Sequence, residues 1–203
     1  MFKNFIRVVD RNYLTNPMPS PKETLEIENV VASTGIEQEL DLDQLGDDLA
    51  GTDYDPDKFP GLIYRIQSPK AAVLIFRSGK MVCTGAASVD EAHQAIHTLF
   101  DELRSLGIPV TTEADIVIQN MVASGELGQR LNLIAIAVGL GLEDVEYEPE
   151  QFPGLVYRLP NATVVGLLFG SGKLVITGCK SFEDATKAIE TIHDHLQNLD
   201  LLD

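Results

Sequence analysis

Tryptophan is absent from this 203-residue sequence, cysteine occurs twice, and aromatic residues make up only 6% of it. Cys83 and Cys179 fit no Cys-x-x-Cys or paired-ligand spacing, which argues against a disulfide framework or a cysteine-built zinc site and predicts free, buried thiols in a reducing compartment. No stretch approaches the roughly 20 apolar residues that span a bilayer. The start, Met1-Phe2-Lys3-Asn4-Phe5-Ile6, lacks a secretory apolar region and cleavage site, so the expectation is a cytoplasmic protein without a targeting segment. Positive charge is also scarce. Fifteen Lys+Arg stand against 31 Asp+Glu, a net charge of -16 and the reverse of the basic footprint common in nucleic-acid binders. An acidic, lysine-poor surface suits high salt, where the Debye length shrinks to about 3 Å at 1 M and self-repulsion fades.

What is present is a core-forming composition, 44% hydrophobic, written twice. Ile27-Glu28-Asn29-Val30-Val31-Ala32-Ser33 recurs as Ile118-Gln119-Asn120-Met121-Val122-Ala123-Ser124. After a small slip in register, Tyr54-Asp55-Pro56-Asp57-Lys58-Phe59-Pro60-Gly61-Leu62-Ile63-Tyr64-Arg65 recurs as Tyr147-Glu148-Pro149-Glu150-Gln151-Phe152-Pro153-Gly154-Leu155-Val156-Tyr157-Arg158. Ser78-Gly79-Lys80 with Thr84-Gly85 recurs as Ser171-Gly172-Lys173 with Thr177-Gly178. Each copy opens on an alternating strand, Leu25–Ser33 or Ile116–Ser124, followed by a short helix near Asp43–Ala50 or Leu133–Leu140. Short strand-like runs follow, punctuated by Pro-Gly and Ser-Gly-Lys turns and ending in Met81–Thr84 or Leu174–Thr177. A longer helix closes each copy. Ser88 with Glu91 reads as a capping box ahead of the stripe Val89, Ala92, Ala95, Ile96, Leu99 and Leu103, and Ser181 precedes the stripe Phe182, Ala185, Ala188, Ile189, Ile192 and Leu196. The prediction is an α+β protein of two pseudo-symmetric repeats, 25–112 and 113–203, with helices on one side of an antiparallel sheet and residues 1–24 as a tail outside both repeats.

Strand parity divides the residues between two faces. Val30, Ala32, Met81, Cys83, Leu174 and Ile176 are expected under the helices. Asn29, Val31, Ser33, Val82 and Thr84 share the other face with Asn120, Val122, Ser124, Val175 and Thr177. That face is expected to be uncharged and partly apolar, which suits a partner better than water. Parity places Glu28 on the helix side. Other features carry less. Gly170-Ser171-Gly172-Lys173 lacks the Ser/Thr of a phosphate loop, since Leu174 follows the lysine. His93 and His97 lack the glutamate of a zinc-protease helix and a third ligand, so neither metal nor cofactor is expected.

The Asn-x-Val elements, the Phe-Pro-Gly-Leu-(Ile/Val)-Tyr-Arg elements, the Phe-x-Ser-Gly-Lys turns (Phe76–Lys80, Phe169–Lys173) and the Thr-Gly pair together resemble the TATA-box-binding protein family over residues 25 to 203. The resemblance implies a saddle: one curved sheet, helices on its convex face, and a concave face that lies in the minor groove of promoter DNA without enzymatic activity. Minor-groove A·T pairs show only acceptors, whereas G·C pairs add an amino group, so short donors and close-fitting apolar atoms suit AT-rich DNA. Asn29 and Asn120 supply donors, Thr84 and Thr177 hydroxyls, and Val31, Val82, Val122 and Val175 the apolar floor. By resemblance, Phe59 with Phe76 and Phe152 with Phe169 are wedges between base steps, and Arg65, Lys70, Lys80, Arg158 and Lys173, beside Ser78 and Ser171, meet phosphates. The resemblance also implies that Glu148 and Glu150 contact transcription factor B, which brings RNA polymerase. Thr163 replaces the basic residue expected opposite Lys70, Ala87 stands opposite Lys180, and Glu28 replaces a glutamine. The acidity points to a salt-adapted archaeal member. The competing reading is a protein-interaction scaffold that uses the same sheet face without DNA.

Overall fold

In each repeat the period-2 segments become strands and the period-3.6 segments helices. A computed structural model describes residues 19–110, 115–141, 143–160 and 163–202. The first repeat comprises β1 (Glu26–Gly35), α1 (Leu42–Asp48), β2 (Thr52–Asp53), β3 (Gly61–Gln67), β4 (Lys70–Phe76), β5 (Lys80–Ala86) and α2 (Val89–Ser105). The second repeats this order as β6 (Val117–Glu126), α3 (Leu133–Leu140), β7 (Val145–Glu146), β8 (Leu155–Arg158), β9 (Val165–Leu168), β10 (Lys173–Cys179) and α4 (Phe182–Asn198).

All ten strands join one curved antiparallel sheet in the order β2-β3-β4-β5-β1-β6-β10-β9-β8-β7. The order reads the same from either end once repeat-equivalent strands are exchanged, so the pseudo-two-fold axis passes between β1 and β6. Their pairing, with Val30 opposite Met121, joins the halves at the edge each repeat would otherwise leave open.

One face of this sheet is covered. Val30, Ala32, Val73, Ile75, Met81 and Cys83 lie under α2, and Met121, Ala123, Leu168, Leu174 and Ile176 lie under α4, all buried. From the helices, Ala92, Ala95, Ile96, Leu99, Phe100 and Leu103 meet the first set, and Ala185, Ala188, Ile189, Ile192 and Leu196 the second. Full burial of each large aliphatic side chain contributes about 1.5–3 kcal/mol, so this layer holds the sheet rigid behind its open face.

Both caps form. Ser88 Oγ accepts from Glu91 N at 3.1 Å and Ser181 Oγ from Asp184 N at 3.1 Å, while the returning carboxylates bind Ala87 N and Lys180 N. Two stripe assignments change. Phe182, expected in the buried stripe, is 46% exposed in the first turn of α4, and Phe100 fills a place in the α2 stripe that the pattern had not assigned. The expected tail divides. Residues 1–18 lie outside the described residues, but Pro21–Thr24 forms a 3-10 turn docked on α4 and β6. Lys22 Nζ reaches Glu190 Oε1 at 2.9 Å, and Thr24 Oγ1 accepts from Glu126 N at 2.8 Å.

Candidate nucleic-acid interface

The face opposite the helices is built from rows of cross-strand neighbours. In the first repeat Ile63, Leu74, Val82 and Ser33 follow one another across β3, β4, β5 and β1. In the second, Val156, Leu167, Val175 and Ser124 do the same across β8, β9, β10 and β6. A second pair of rows carries Arg65, Ala72 and Thr84, and Arg158, Val165 and Thr177. The apolar members of these rows are half-buried with no helix above them. Val31 and Val122 join them near the centre, Val31 opposite Asn120 and Val122 opposite Asn29. The expected Asn/Val/Thr set therefore comes together. Ile63, Leu74, Val156 and Leu167 were not assigned to it beforehand, although the alternation of β3, β4, β8 and β9 carries their parity.

Asn29 and Asn120 sit in equivalent places with equivalent partners. Asn29 Oδ1 accepts from Gly85 N at 2.7 Å, and its Nδ2 lies 3.3 Å from Thr84 Oγ1. Asn120 Oδ1 accepts from Gly178 N at 2.8 Å, and its Nδ2 lies 3.2 Å from Thr177 Oγ1.

At either flank two rings meet edge to face. Phe59 and Phe76 have centroids 5.9 Å apart at 64°, and Phe152 and Phe169 have centroids 5.9 Å apart at 70°. Phe59 ends a turn closed by Phe59 N on Asp55 O at 2.9 Å, and Phe152 one closed on Glu148 O at 3.0 Å. The rings need Gly61 and Gly154: a Cβ there would stand 2.8 Å from Phe59 Cε1 and 2.6 Å from Phe152 Cε1. These glycines were missed as site residues, since a Pro-Gly pair reads as a turn signal.

Arg65, Lys70, Lys80, Arg158 and Lys173 are all exposed, as are Ser78 and Ser171. They are not equivalent. Arg158 is held by Glu146 at 3.0 Å, and Lys173 lies across from Glu126, whereas Lys80 lies across from Gly35. Glu148 and Glu150 are exposed in the turn leading to Phe152.

Two expectations about charge are corrected. Glu28 is not on the helix side: it is exposed, and its Oε1 accepts from Ser124 Oγ, a residue of the open face. Glu26, directly opposite Ser124, reaches the same face, which is therefore not acid-free. The cause is an irregularity between Ile27 and Asn29, where β1 gains a residue relative to β6 and parity no longer carries through. Cys83 and Cys179 are free and buried, and burial pushes both thiols up to about 11. They are core, not chemistry. Among the described residues no group of His, Cys, Asp and Glu is placed to hold a metal, and no helix is long and apolar enough to cross a membrane.

The family described as "Transcription factor TFIID (or TATA-binding protein, TBP)" matches residues 24–106 and 115–199. The chain belongs to the TATA-box-binding protein family. It is 63% identical over 186 residues to the TATA-box-binding protein of Haloarcula marismortui, an alignment covering 92% of this chain and all of that one. It is 62% identical to TATA-box-binding protein E of Halobacterium salinarum over the same shares of the two chains. The Methanococcus jannaschii TBP structure superposes with a TM-score of 0.78 at 51% identity, covering 86% of this chain and 99% of that one. The family is one of transcription factors that bind promoter DNA, and the two matched segments correspond to the two halves of the saddle.

Proposed function

We propose that this chain is a general transcription initiation factor that inserts its open face into the minor groove of a TATA box, bends the duplex, and presents its second repeat to transcription factor B and, through it, RNA polymerase. The observation that supports this most directly is the twice-built face: an Asn with its Thr-Gly partner and a Val floor at the centre, and an edge-to-face Phe pair at each flank. A helix-backed sheet of half-buried Val, Leu and Ile matches a groove floor that offers acceptors and little bulk. The Phe pairs supply wedges, whose unstacking cost is roughly a few kcal/mol per step in minor-groove benders, this family being itself a standard example. Arg65, Lys70, Lys80, Arg158 and Lys173 position the backbone and carry no sequence information. Glu148 and Glu150, exposed beside the second wedge, offer a carboxylate pair to a basic surface of transcription factor B.

The test is a gel-shift titration with a TATA duplex and a GC-substituted duplex over a salt range. Preferential binding to TATA that persists toward molar salt is expected, because the net charge of -16 repels DNA at low salt and screening of that repulsion offsets the loss from counterion release. Equal affinity for both duplexes would refute the groove reading, and a conventional steep loss with salt would refute the salt adaptation. Adding transcription factor B should supershift the complex with wild type but much less with the Glu148→Lys, Glu150→Lys double variant.

A further inference from the structure

The Thr-Gly pair recurs in both repeats, yet minor-groove contact by Thr84 and Thr177 does not explain the glycine that follows each. In β5 the pairing with β1 runs from Cys83 opposite Ala32 to Ala86 opposite Val30, so Thr84 and Gly85 together face the single residue Val31. In β10 Ile176 lies opposite Ala123 and Cys179 opposite Met121, so Thr177 and Gly178 together face Val122. Each repeat thus carries a β-bulge with one extra residue. The bulge glycines hold φ of +88° and +86°, a conformation that L side chains resist. A bulge residue drops out of the ladder and its N–H is released for other use. Here that N–H goes to the asparagine amide oxygen, at 2.7 Å in one repeat and 2.8 Å in the other.

We propose that Gly85 and Gly178 are positioning residues that fix which end of Asn29 and Asn120 faces the DNA. This rests on the minor-groove reading. A side-chain amide is a donor at one end and an acceptor at the other, and a half-turn about its last bond exchanges them. The two ends have opposite meaning in the groove. The donor end satisfies the acceptors common to A·T and T·A pairs, whereas the acceptor end is repelled by them and welcomes the amino group of guanine. With Oδ1 tied to the bulge N–H and one Nδ2 proton directed at the threonine hydroxyl, the remaining Nδ2 proton is the group presented. The bulge therefore makes each asparagine a reader of acceptors before DNA arrives, adding a chemical bar against G·C to the steric bar of the valines.

Two measurements test this. In the free wild-type protein, through-hydrogen-bond NMR coupling is expected between Gly85 15N and Asn29 13Cγ, and between Gly178 15N and Asn120 13Cγ. Its absence at both would overturn the proposal. The second measurement compares duplexes whose central pairs are A·T, inosine·C or G·C, inosine·C having the G·C shape without the amino group. Wild type should bind the first two alike and the third about tenfold or more weakly. In Gly85→Ala the new methyl has room, its nearest neighbour being 3.7 Å away, so what changes is the backbone that holds the bulge. The expected result is a several-fold smaller G·C-versus-inosine·C penalty with the A·T-versus-inosine·C ratio unchanged. A folded Gly85→Ala with the wild-type penalty would show that the valines alone exclude guanine and would sink the proposal. Should that variant not fold, the coupling measurement decides. Failure of wild type to bind the A·T duplex at all is a separate outcome, which removes the minor-groove reading itself.

Discussion

Phe152 is 38% exposed, an unusual position for a phenylalanine and one that gives truncation little to undo in the core. Phe152→Ala is therefore expected to keep the urea midpoint near wild type while weakening TATA binding by about 2 kcal/mol, roughly thirtyfold, the scale of losing one base–aromatic contact. Gly154→Ala should act through the same ring: its Cβ would lie 2.6 Å from Phe152 Cε1, so the wedge must move. A fluorescence titration in which Gly154→Ala binds like wild type would show that the ring position does not matter. Asn29→Ala removes the donor offered to the groove and leaves Gly85 N–H without its partner, so a loss of about 1–3 kcal/mol in TATA affinity is expected together with a cost of about 1 kcal/mol in urea unfolding. Most of these side chains were legible as a repeated pattern. Gly61, Gly154 and the carboxylate of Glu28 were not, because each depends on what stands across the sheet.

The elements hold these side chains in place. The capping hydroxyls of Ser88 and Ser181 begin the two helices that back the sheet, each accepting at 3.1 Å from the backbone three residues on. Ser88→Ala and Ser181→Ala should each cost about 1 kcal/mol in urea unfolding, and because β5 and β10, which lead into the two caps, are separated by β1 and β6 and the caps share no partner, the double variant should approach the sum. The buried thiols make a pH prediction at this scale. Their folded pKa lies above the unfolded value, so the neutral form is favoured by folding. The stability they contribute is fully present below about pH 9 and is lost as pH rises toward about 11. Urea midpoints of wild type and Cys83→Ala should converge over that window; parallel curves would contradict it. Helix positions and caps followed from the local pattern, but Phe182 stands exposed at the start of α4 and Phe100 joins the buried stripe of α2. Helical spacing tells which residues share a face, not which turn of that face the sheet covers.

At the scale of the whole molecule the governing quantity is the net charge of -16 spread over both halves of one sheet. Self-repulsion of that size is screened by salt, so the thermal midpoint is expected to rise between about 0.1 and 2 M KCl, read by circular dichroism. An unchanged midpoint would show that the acidity is dispersed too evenly to matter. The same charge looked like an argument against DNA when counted over the chain. It loses that force once the open face is seen to be mostly Val, Leu, Ile, Asn and Thr, with Glu26 and Glu28 reaching it from β1.

Repetition, period and composition are properties of the chain itself, and they determined the two repeats, the class of each element, the helix caps and the two families of sheet-facing residues. Which residues meet across the pseudo-two-fold axis is different in kind, because it depends on register between segments distant in sequence. Only the tertiary structure decided that bulges pair Thr84-Gly85 with Val31 and Thr177-Gly178 with Val122, that each asparagine oxygen is taken by a glycine N–H, and that Glu26 and Glu28 reach the open face. One inserted residue reverses strand parity, and its site is set by pairing with another strand rather than by the residue's own neighbours.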